Sequence, residues 1–187
     1  MKVIETPLPG VLLIEMVRHG DDRGYFMETW QEKRYAEVGI SGPFVQDNLS
    51  FSRRGVLRGL HFQNPNPQGK LVSVLAGEVF DVAVDIRRGS PTFGQWVGYF
   101  LSERNRRQLW VPPGFAHGFC VTSESALFSY KCTEFYNPRN EGTIRWDDSC
   151  IGIDWPWKEV NLSKKDAEAP TLEEIDHDRL PVWSAVS

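Results

Sequence analysis

Short apolar runs, separated by clusters of Gly, Pro, Asn and Asp, set the pattern of this chain. Apolar or alternating runs of about four to eight residues are typical of β-strands. The pattern predicts one brief helix over 33–39, ending at Gly39, and a tail over 162–180 that is helical or irregular. Strands are predicted within the segments 10–17, 24–31, 55–63, 70–87, 94–101, 108–123, 126–136 and 142–148.

The number of strands and the scarcity of helical segments indicate an all-β sandwich, jelly roll or barrel. Within 70–87 the letters "AGE" separate two valine-rich runs, so we expect a hairpin or a sharp corner there. The sequence has no internal repeat, low-complexity tract or interdomain linker. We therefore predict a single domain over 1–187.

The segment "GVLRGLHFQ" (55–63) is an apolar strand that carries two basic side chains. Strict alternation places Leu57 and His61 on one face and Arg58 on the other, together with Leu60 and Phe62. Gly59 lies between Arg58 and His61, and a glycine inside a strand often marks a bulge. One extra residue there would turn both basic side chains to the same face.

Three more polar side chains lie on predicted core faces. His117 follows a rigid Pro-Pro-Gly turn and shares a face with two phenylalanines. Lys70 begins a strand whose next residues on that face are valines, and Tyr130 shares a face with Ala126 and Phe128. A buried lysine needs a partner or a role, whereas buried histidines and tyrosines are often only hydrogen-bonded core residues.

Composition and charge narrow the functional classes. Apolar residues make up 41% and charged residues 25%, an ordinary globular balance. The net charge of −4 does not favour a nucleic-acid binder, although a few arginines could still hold a small anion. The N-terminal apolar run is short and broken by prolines and Glu15, so neither a signal peptide nor a membrane span is expected.

The 3 cysteines show no metal-ligand spacing, and we interpret them as thiols of a reducing cytoplasm. The histidines do not form a cupin-type metal set either, because His61 is followed by Phe62 and Gln63 rather than by His-x-His. His19 lies in a predicted loop and His177 in the tail. We therefore expect no metal and no other cofactor.

Five long segments of the chain form a recognisable pattern: "DDRGYFMETW" (21–30), "FVQDNLSFSRRGVLRGLHFQ" (44–63), "GKLVSVLAGEVFDVAVDIRRGSPTFGQW" (69–96), "LWVPPGFAHGFCVTSESALFSYKCTEFYNP" (109–138) and "NLSKKDAEAPTL" (161–172). In these segments the chain resembles the dTDP-4-dehydrorhamnose 3,5-epimerase family. This resemblance implies a cupin-type double-stranded β-helix, or jelly roll, with a few short peripheral helices. The chain departs from the family at Leu49 and Phe51, where members often carry a polar or basic residue.

The resemblance implies epimerisation at C3 and C5 of a nucleotide-linked 4-keto-6-deoxy sugar through an enolate. It identifies His61 as the base, Asp166 as the carboxylate that orients it and Tyr130 as the acid. Lys70 and His117 match the groups around the keto oxygen, where developing negative charge needs donors.

The binding residues are also implied by the resemblance. Arg58 and Arg23 match contacts to the diphosphate and nucleotide, a role suited to guanidinium groups. Phe26 and Glu28 match a base-binding patch supplied by a partner subunit, which implies a homodimer with exchanged N-terminal strands (about 1–50). The tail (about 160–187) would close the site. Gln46, Asn48 and Tyr136 match further substrate contacts in the pocket.

Asp81 and Asp85 point inward from an apolar strand, and we expect structural salt bridges there rather than residues that orient a catalytic group. Three alternatives to the double epimerase stay open. The first is an epimerase that inverts only C3 or C5, or one that uses another nucleotide sugar. The second is a metal-dependent cupin oxygenase or isomerase, and the third is a sugar-binding jelly roll without catalysis.

Overall fold

The computed structural model describes residues 1–184 and shows a chain built mainly from β-strands. The two short α-helices are α1 (Glu32–Ala36) and α2 (Lys164–Ala167), and a single 3-10 turn spans His177–Arg179. The strands are β1 (Lys2–Glu5), β2 (Leu12–Glu15), β3 (Arg18–Asp21), β4 (Gly24–Met27), β5 (Gln46–Arg53), β6 (Leu57–Gln63), β7 (Lys70–Ala76), β8 (Glu78–Asp85), β9 (Trp96–Ser102), β10 (Arg107–Val111), β11 (Phe115–Val121), β12 (Ser125–Cys132) and β13 (Glu141–Thr143).

Two antiparallel sheets pack face to face, which confirms the predicted jelly roll. The six-stranded sheet has the order β1-β2-β10-β7-β12-β5, and the five-stranded sheet has the order β13-β6-β11-β8-β9. A buried cluster between them joins Val72 and Phe128 from the larger sheet to Phe119 and Ala83 from the smaller. Burial of such side chains is the main favourable contribution to folding.

Each sheet is also covered on part of its outer face. Leu57, Leu60 and Phe62 of β6 pack against Trp155 and Leu172 from the C-terminal part of the chain, on the outside of the five-stranded sheet. A third cluster covers part of the six-stranded sheet with residues of the α1 region, including Tyr35 and Ile40. The apolar side chains of β6 therefore belong to this outer cluster and not to the cluster between the two sheets.

Most predicted strands are confirmed, and the break at "AGE" is a corner rather than a hairpin. β7 lies in the six-stranded sheet and β8 in the five-stranded sheet, so the chain crosses from one to the other at Gly77. Gly77 has a φ of +80°, a conformation that favours glycine, and a Cβ there would lie 2.0 Å from the Ser125 carbonyl oxygen.

Two parts of the prediction are wrong. The loop expected around His19 is strand β3, which pairs with β4 in a separate two-stranded sheet. Strands β1 and β5 were not predicted at all. Strand β5 is an edge strand whose outward side chains, among them Leu49 and Phe51, are exposed and whose inward ones are polar, so no core-facing apolar alternation marks it.

No helix within residues 1–184 is long and apolar enough to cross a bilayer. Across the same residues there is no cluster of three or more His, Cys, Asp or Glu side chains arranged to hold a metal ion. The three thiols are free: Cys120 and Cys132 are buried and Cys150 is exposed. The cytoplasmic location and the lack of a cofactor stay predictions.

Candidate active site

An irregularity in β6 brings Arg58 and His61 to the same side of the strand. Arg58 pairs with Phe119 and His61 with His117, so three steps along β6 match two along β11. Both side chains line one cavity, whereas Leu57 and Leu60 point together into the outer cluster. The bulge predicted near Gly59 is confirmed. Strict alternation, which grouped Arg58 with Leu60 and Phe62, is wrong for this strand.

Gly59 is required at the irregularity for two reasons. Its φ is +143°, in the region where side chains are strained, and a Cβ there would lie 2.6 Å from the Gly118 Cα atom. β6 and β11 can approach closely at this point only because both residues are glycines.

The C-terminal tail brings Asp166 to His61. The Asp166 Oδ1 atom lies 2.6 Å from His61 Nε2, although the two residues are 105 positions apart in sequence. Asp166 is buried, and its backbone N–H donates to the Oγ of Ser163, the N-cap of α2, at 3.1 Å. An ionised carboxylate can only accept, so Nε2 carries the proton and Nδ1 is left free to accept one.

Backbone hydrogen bonds hold the tail along the start of β6. The Leu57 N–H donates to the Asn161 carbonyl at 3.1 Å, and the Asn161 N–H donates to the Gly55 carbonyl at 2.8 Å. This short parallel bridge begins five residues before Asp166. The tail is therefore part of the site.

The electrostatics of this pair favour a neutral imidazole beside an ionised carboxylate. Burial lowers the pKa of His61 below its usual 6.5, and the hydrogen bond that His61 donates to Asp166 opposes that shift only in part. Burial alone would raise the pKa of Asp166, but the contacts to His61 and Ser163 hold it below its usual value. A histidine in this state can act as a base at neutral pH.

Two cavities meet at His61. The tyrosine cavity, of about 290 Å³, is lined by Gln46, Asn48, His61, Gln68, Lys70, Tyr130, Tyr136 and Glu141. The arginine cavity, of about 330 Å³, is lined by Val56, Leu57, Arg58, His61, Asn161, Leu162, Ser163, Lys165 and Asp166. A ligand that spans both would touch His61 near its middle.

His61 and Tyr130 reach the tyrosine cavity from different sheets. His61 comes from β6 of the five-stranded sheet, and Tyr130 comes from β12 of the six-stranded sheet, as Lys70 does from β7. Burial raises the pKa of Tyr130, so its hydroxyl keeps the proton at neutral pH. Burial lowers the pKa of Lys70, while nearby Asp81 and Glu141 oppose that shift.

A second histidine–carboxylate pair, His117 and Asp81, lies on the neighbouring strands β11 and β8, and neither residue lines the tyrosine cavity or the arginine cavity. His117 is directly opposite His61 in the β6–β11 register, and its Nε2 lies 3.0 Å from each carboxylate oxygen of Asp81. Both residues are buried, and the His117 ring stacks on Phe128 at a centroid distance of 6.2 Å.

The two inward aspartates therefore differ. Asp85 forms the expected structural salt bridge, with Arg87 Nη2 at 2.7 Å, and accepts further bonds from Ser90 and Thr92. Asp81 instead has His117 as its partner, at 3.0 Å, and this contact is an ion pair only when the imidazole is protonated.

The remaining cavity residues are linked by hydrogen bonds. Arg58 Nε donates to Ser52 Oγ at 3.1 Å, and Gln46 Nε2 donates to Asn48 Oδ1 at 2.9 Å. Gln46 Oε1 accepts from the Tyr136 N–H at 2.8 Å. Sequence reasoning missed Ser52, Gln68, Glu141 and Lys165, because each stands in a polar stretch that has no periodicity to distinguish it.

Arg23, Phe26 and Glu28 lie outside both cavities. Arg23 binds Asp21 within the β3–β4 hairpin, and Glu28 forms an ion pair with Arg34 at 2.8 Å. Phe26 is 69% exposed. Arg23 and Phe26 line a separate open groove of about 490 Å³ on this hairpin, and none of the three residues lines either cavity that contains His61.

A jelly roll whose interior holds a histidine–carboxylate pair and a protonated tyrosine has the groups of an enzyme that moves protons. Residues 5–174 match the family model described as dTDP-4-dehydrorhamnose 3,5-epimerase. The chain belongs to this family, and it is an isomerase of the epimerase class.

Individual relatives agree over nearly the whole length. The dTDP-4-dehydrorhamnose 3,5-epimerase of Salmonella typhimurium is 55% identical over 93% of this chain and 97% of its own. A Legionella pneumophila dTDP-6-deoxy-D-glucose-3,5-epimerase, solved with dTDP-4-keto-L-rhamnose, is 56% identical over 98% of this chain and 99% of its own, with a TM-score of 0.96. ChmJ, a 3′-monoepimerase from Streptomyces bikiniensis solved with dTDP-quinovose, is 33% identical over 95% and 93%, with a TM-score of 0.88.

Proposed function

We propose that this protein converts dTDP-4-dehydro-6-deoxy-D-glucose into dTDP-4-dehydro-L-rhamnose by inverting C3 and C5. The observation that carries the proposal is the His61–Asp166 pair, at 2.6 Å, which faces Tyr130 across the tyrosine cavity. The protons at C3 and C5 are acidic because both carbons are adjacent to the C4 ketone. One base and one acid can therefore serve both centres in turn.

His61 is the base of this mechanism. Its free Nδ1 takes the proton from C3 or C5, and the electron pair moves onto O4 to give an enolate. The Asp166 carboxylate holds the ring in one tautomer and stabilises the imidazolium that forms. The lowered pKa of His61 keeps the imidazole neutral before the reaction.

Tyr130 is the acid. It stands on the opposite sheet from His61, so a proton that it donates reaches the other face of the sugar carbon and inverts the centre. Lys70 and His117 stabilise the enolate oxygen, since donors aimed at developing negative charge lower the barrier. Inversion requires only these proton transfers.

The nucleotide half of the site involves two regions. Arg58, in the arginine cavity, holds the diphosphate, and Gln46, Asn48 and Tyr136 contact the sugar and nucleotide. Arg23, Phe26 and Glu28 serve the cavity of a second copy in a homodimer, which accounts for their exposure and for their absence from both His61 cavities in a single chain. The tail closes the site through Asp166.

Solvent deuterium tests the reaction directly. The dTDP-4-keto sugar is incubated with the protein in D₂O, and the product is examined by NMR. Deuterium at both C3 and C5, in a product of inverted configuration at both centres, is expected. Label at one carbon only would support the mono-epimerase alternative, to which the similarity with ChmJ also points.

A further inference from the structure

An ion pair between two residues given no role above bridges the two cavities. Lys165 lines the arginine cavity, Glu141 lines the tyrosine cavity, and Lys165 Nζ lies 2.9 Å from Glu141 Oε1. We propose that this pair is a positioning device for the reaction: it fastens helix α2 across the site to strand β13 and so keeps Asp166 on His61. The inference rests on the proposed function and adds two residues to it.

The pair is the centre of a longer chain of contacts. Glu141 Oε2 accepts a hydrogen bond from the Tyr136 hydroxyl at 3.2 Å, so the carboxylate joins the segment after β12 to α2. Glu141 stands opposite Gln63 in the β13–β6 register, two positions beyond His61 along β6. Lys165 directly precedes Asp166. Lys165 is thus the sequence neighbour of Asp166, and Glu141 lies on the strand that pairs with the His61 strand.

Helix α2 depends on such contacts for its position. It has only 4 residues, and helices this short are not stable by themselves. The backbone bridge at Asn161 fixes the chain before the helix, and the Ser163 cap fixes its first turn. Beyond these, the side-chain contacts that join α2 to the β13–β6 edge are Asp166 to His61 and Lys165 to Glu141.

Because the pair is partly exposed, a positioning role and a merely structural role predict different effects when the pair is lost. The Lys165 side chain is 49% exposed, and exposed ion pairs contribute little to stability. A shift of about 1 Å in a catalytic group, by contrast, can cost about 100-fold in rate. Loss of the pair is therefore expected to affect turnover much more than thermal stability.

The pKa of His61 provides a second measurement that tests the role of Lys165. The groups that face His61 are Asp166 and Lys165 from α2, Lys70 from β7, His117 from β11, Tyr130 from β12, Glu141 from β13 and Arg58 from its own strand. Burial is the main cause of the lowered pKa of His61, Asp166 opposes it, and the positive charges of Lys165 and Lys70 lower it further. The hydrogen bond and the charge of Asp166 each act on this pKa more strongly than the charge of Lys165 does. If loss of the ion pair moves Asp166 away from His61, the pKa of His61 should therefore fall, although loss of the Lys165 charge by itself would raise it.

The test uses Lys165→Met in the full chain with the dTDP-4-keto sugar as substrate. We expect kcat to fall by about tenfold or more while KM changes much less. The acid limb of the kcat/KM profile should move to lower pH, and the thermal midpoint should stay close to that of the wild type. Lys165→Arg keeps the ion pair and should restore most of the turnover.

Lys164→Met is the matched control. Lys164 is the neighbouring lysine of the same helix, its side chain is 86% exposed, and its partner is Glu168 at 3.9 Å. It should behave as the wild type in kcat, pH profile and stability. Glu141→Gln removes the other end of the pair, and the double variant Glu141→Gln/Lys165→Met should lose little more than the worse single variant, since both break one contact.

Two results would overturn the positioning role. One is a Lys165→Met variant that matches Lys164→Met in kcat and in pH profile. The other is fully additive losses in the double variant. Failure of the proposed function looks different, because the wild-type protein itself would then exchange no deuterium at C3 or C5.

Discussion

The family resemblance assigns both the surroundings of His61 and the β3–β4 hairpin to one reaction. A single chain forms the surroundings of His61 completely, but it leaves the hairpin exposed. Around His61 the groups are packed together: β6, β11 and the tail bury Asp166 and hold its Oδ1 atom 2.6 Å from His61 Nε2. Around Phe26 they are open, since the β3–β4 hairpin pairs with neither large sheet within residues 1–184 and leaves Tyr25 and Phe26 exposed.

The residues proposed to catalyse the reaction and those proposed to bind the nucleotide base therefore lie in different regions. The groups proposed to move protons come from one chain, from two facing sheets and a tail. The groups proposed to bind the nucleotide base come from a hairpin whose exposed aromatic side chains need another surface. Substitutions in the first region should therefore change kcat, and those in the hairpin should change KM and depend on the partner.

The largest effect is expected for His61→Ala. Without the base, deuterium exchange at C3 and C5 should fall by about 10³-fold or more. Binding of dTDP, measured by calorimetry, should be unchanged, because the diphosphate is assigned to Arg58. Substantial exchange in this variant would remove the base from the proposed mechanism.

Asp166→Asn should cost about 100-fold in kcat, since the imidazole loses the partner that fixes its tautomer. The pH dependence of kcat/KM should also change, and the direction of that change can be predicted. The Asp166 carboxylate raises the pKa of His61 against the effect of burial, so its removal should lower that pKa further. The acid limb of kcat/KM, already expected below 6.5 in the wild type, should move to lower pH. A shift to higher pH would contradict this arrangement.

These two residues also show what the sequence could and could not reveal. The irregularity at Gly59 was predictable, because Arg58 and His61 are three positions apart and only an extra residue lets both face one ligand. The contact between His61 and Asp166 was not predictable from the pattern of residues. Asp166 stands beside two lysines in a polar stretch, and only the path of the tail along β6 brings it to the site.

The strands differ in the same way: two strands of the core were predicted from the sequence, and a strand that lines the cavity was not. β8 and β11 are buried on both faces and appear as apolar runs, so they were predicted. β5 was missed because its inward residues are polar and line the cavity, while its apolar residues point outward. A strand that serves a ligand rather than the core lacks the pattern by which strands are recognised.

A smaller effect is expected in the hairpin. The double variant Arg23→Ala/Phe26→Ala should raise KM by about tenfold, a loss of about 1.4 kcal/mol of binding, with little change in kcat. Initial rates at several substrate concentrations check this. Unchanged KM would mean that the hairpin does not bind the nucleotide, and a large loss of kcat would mean that it belongs to the catalytic region.

The most direct test of the division between the two regions is a mixing experiment. His61→Ala and Arg23→Ala/Phe26→Ala proteins are unfolded together, refolded and assayed at substrate well below KM. If the hairpin serves the partner's cavity, each mixed dimer has one site with an intact His61 and an intact hairpin from the other chain. About a quarter of wild-type activity should then appear in an equal mixture, well above that of either variant refolded alone. Activity no greater than the average of the two separate variants would contradict the account.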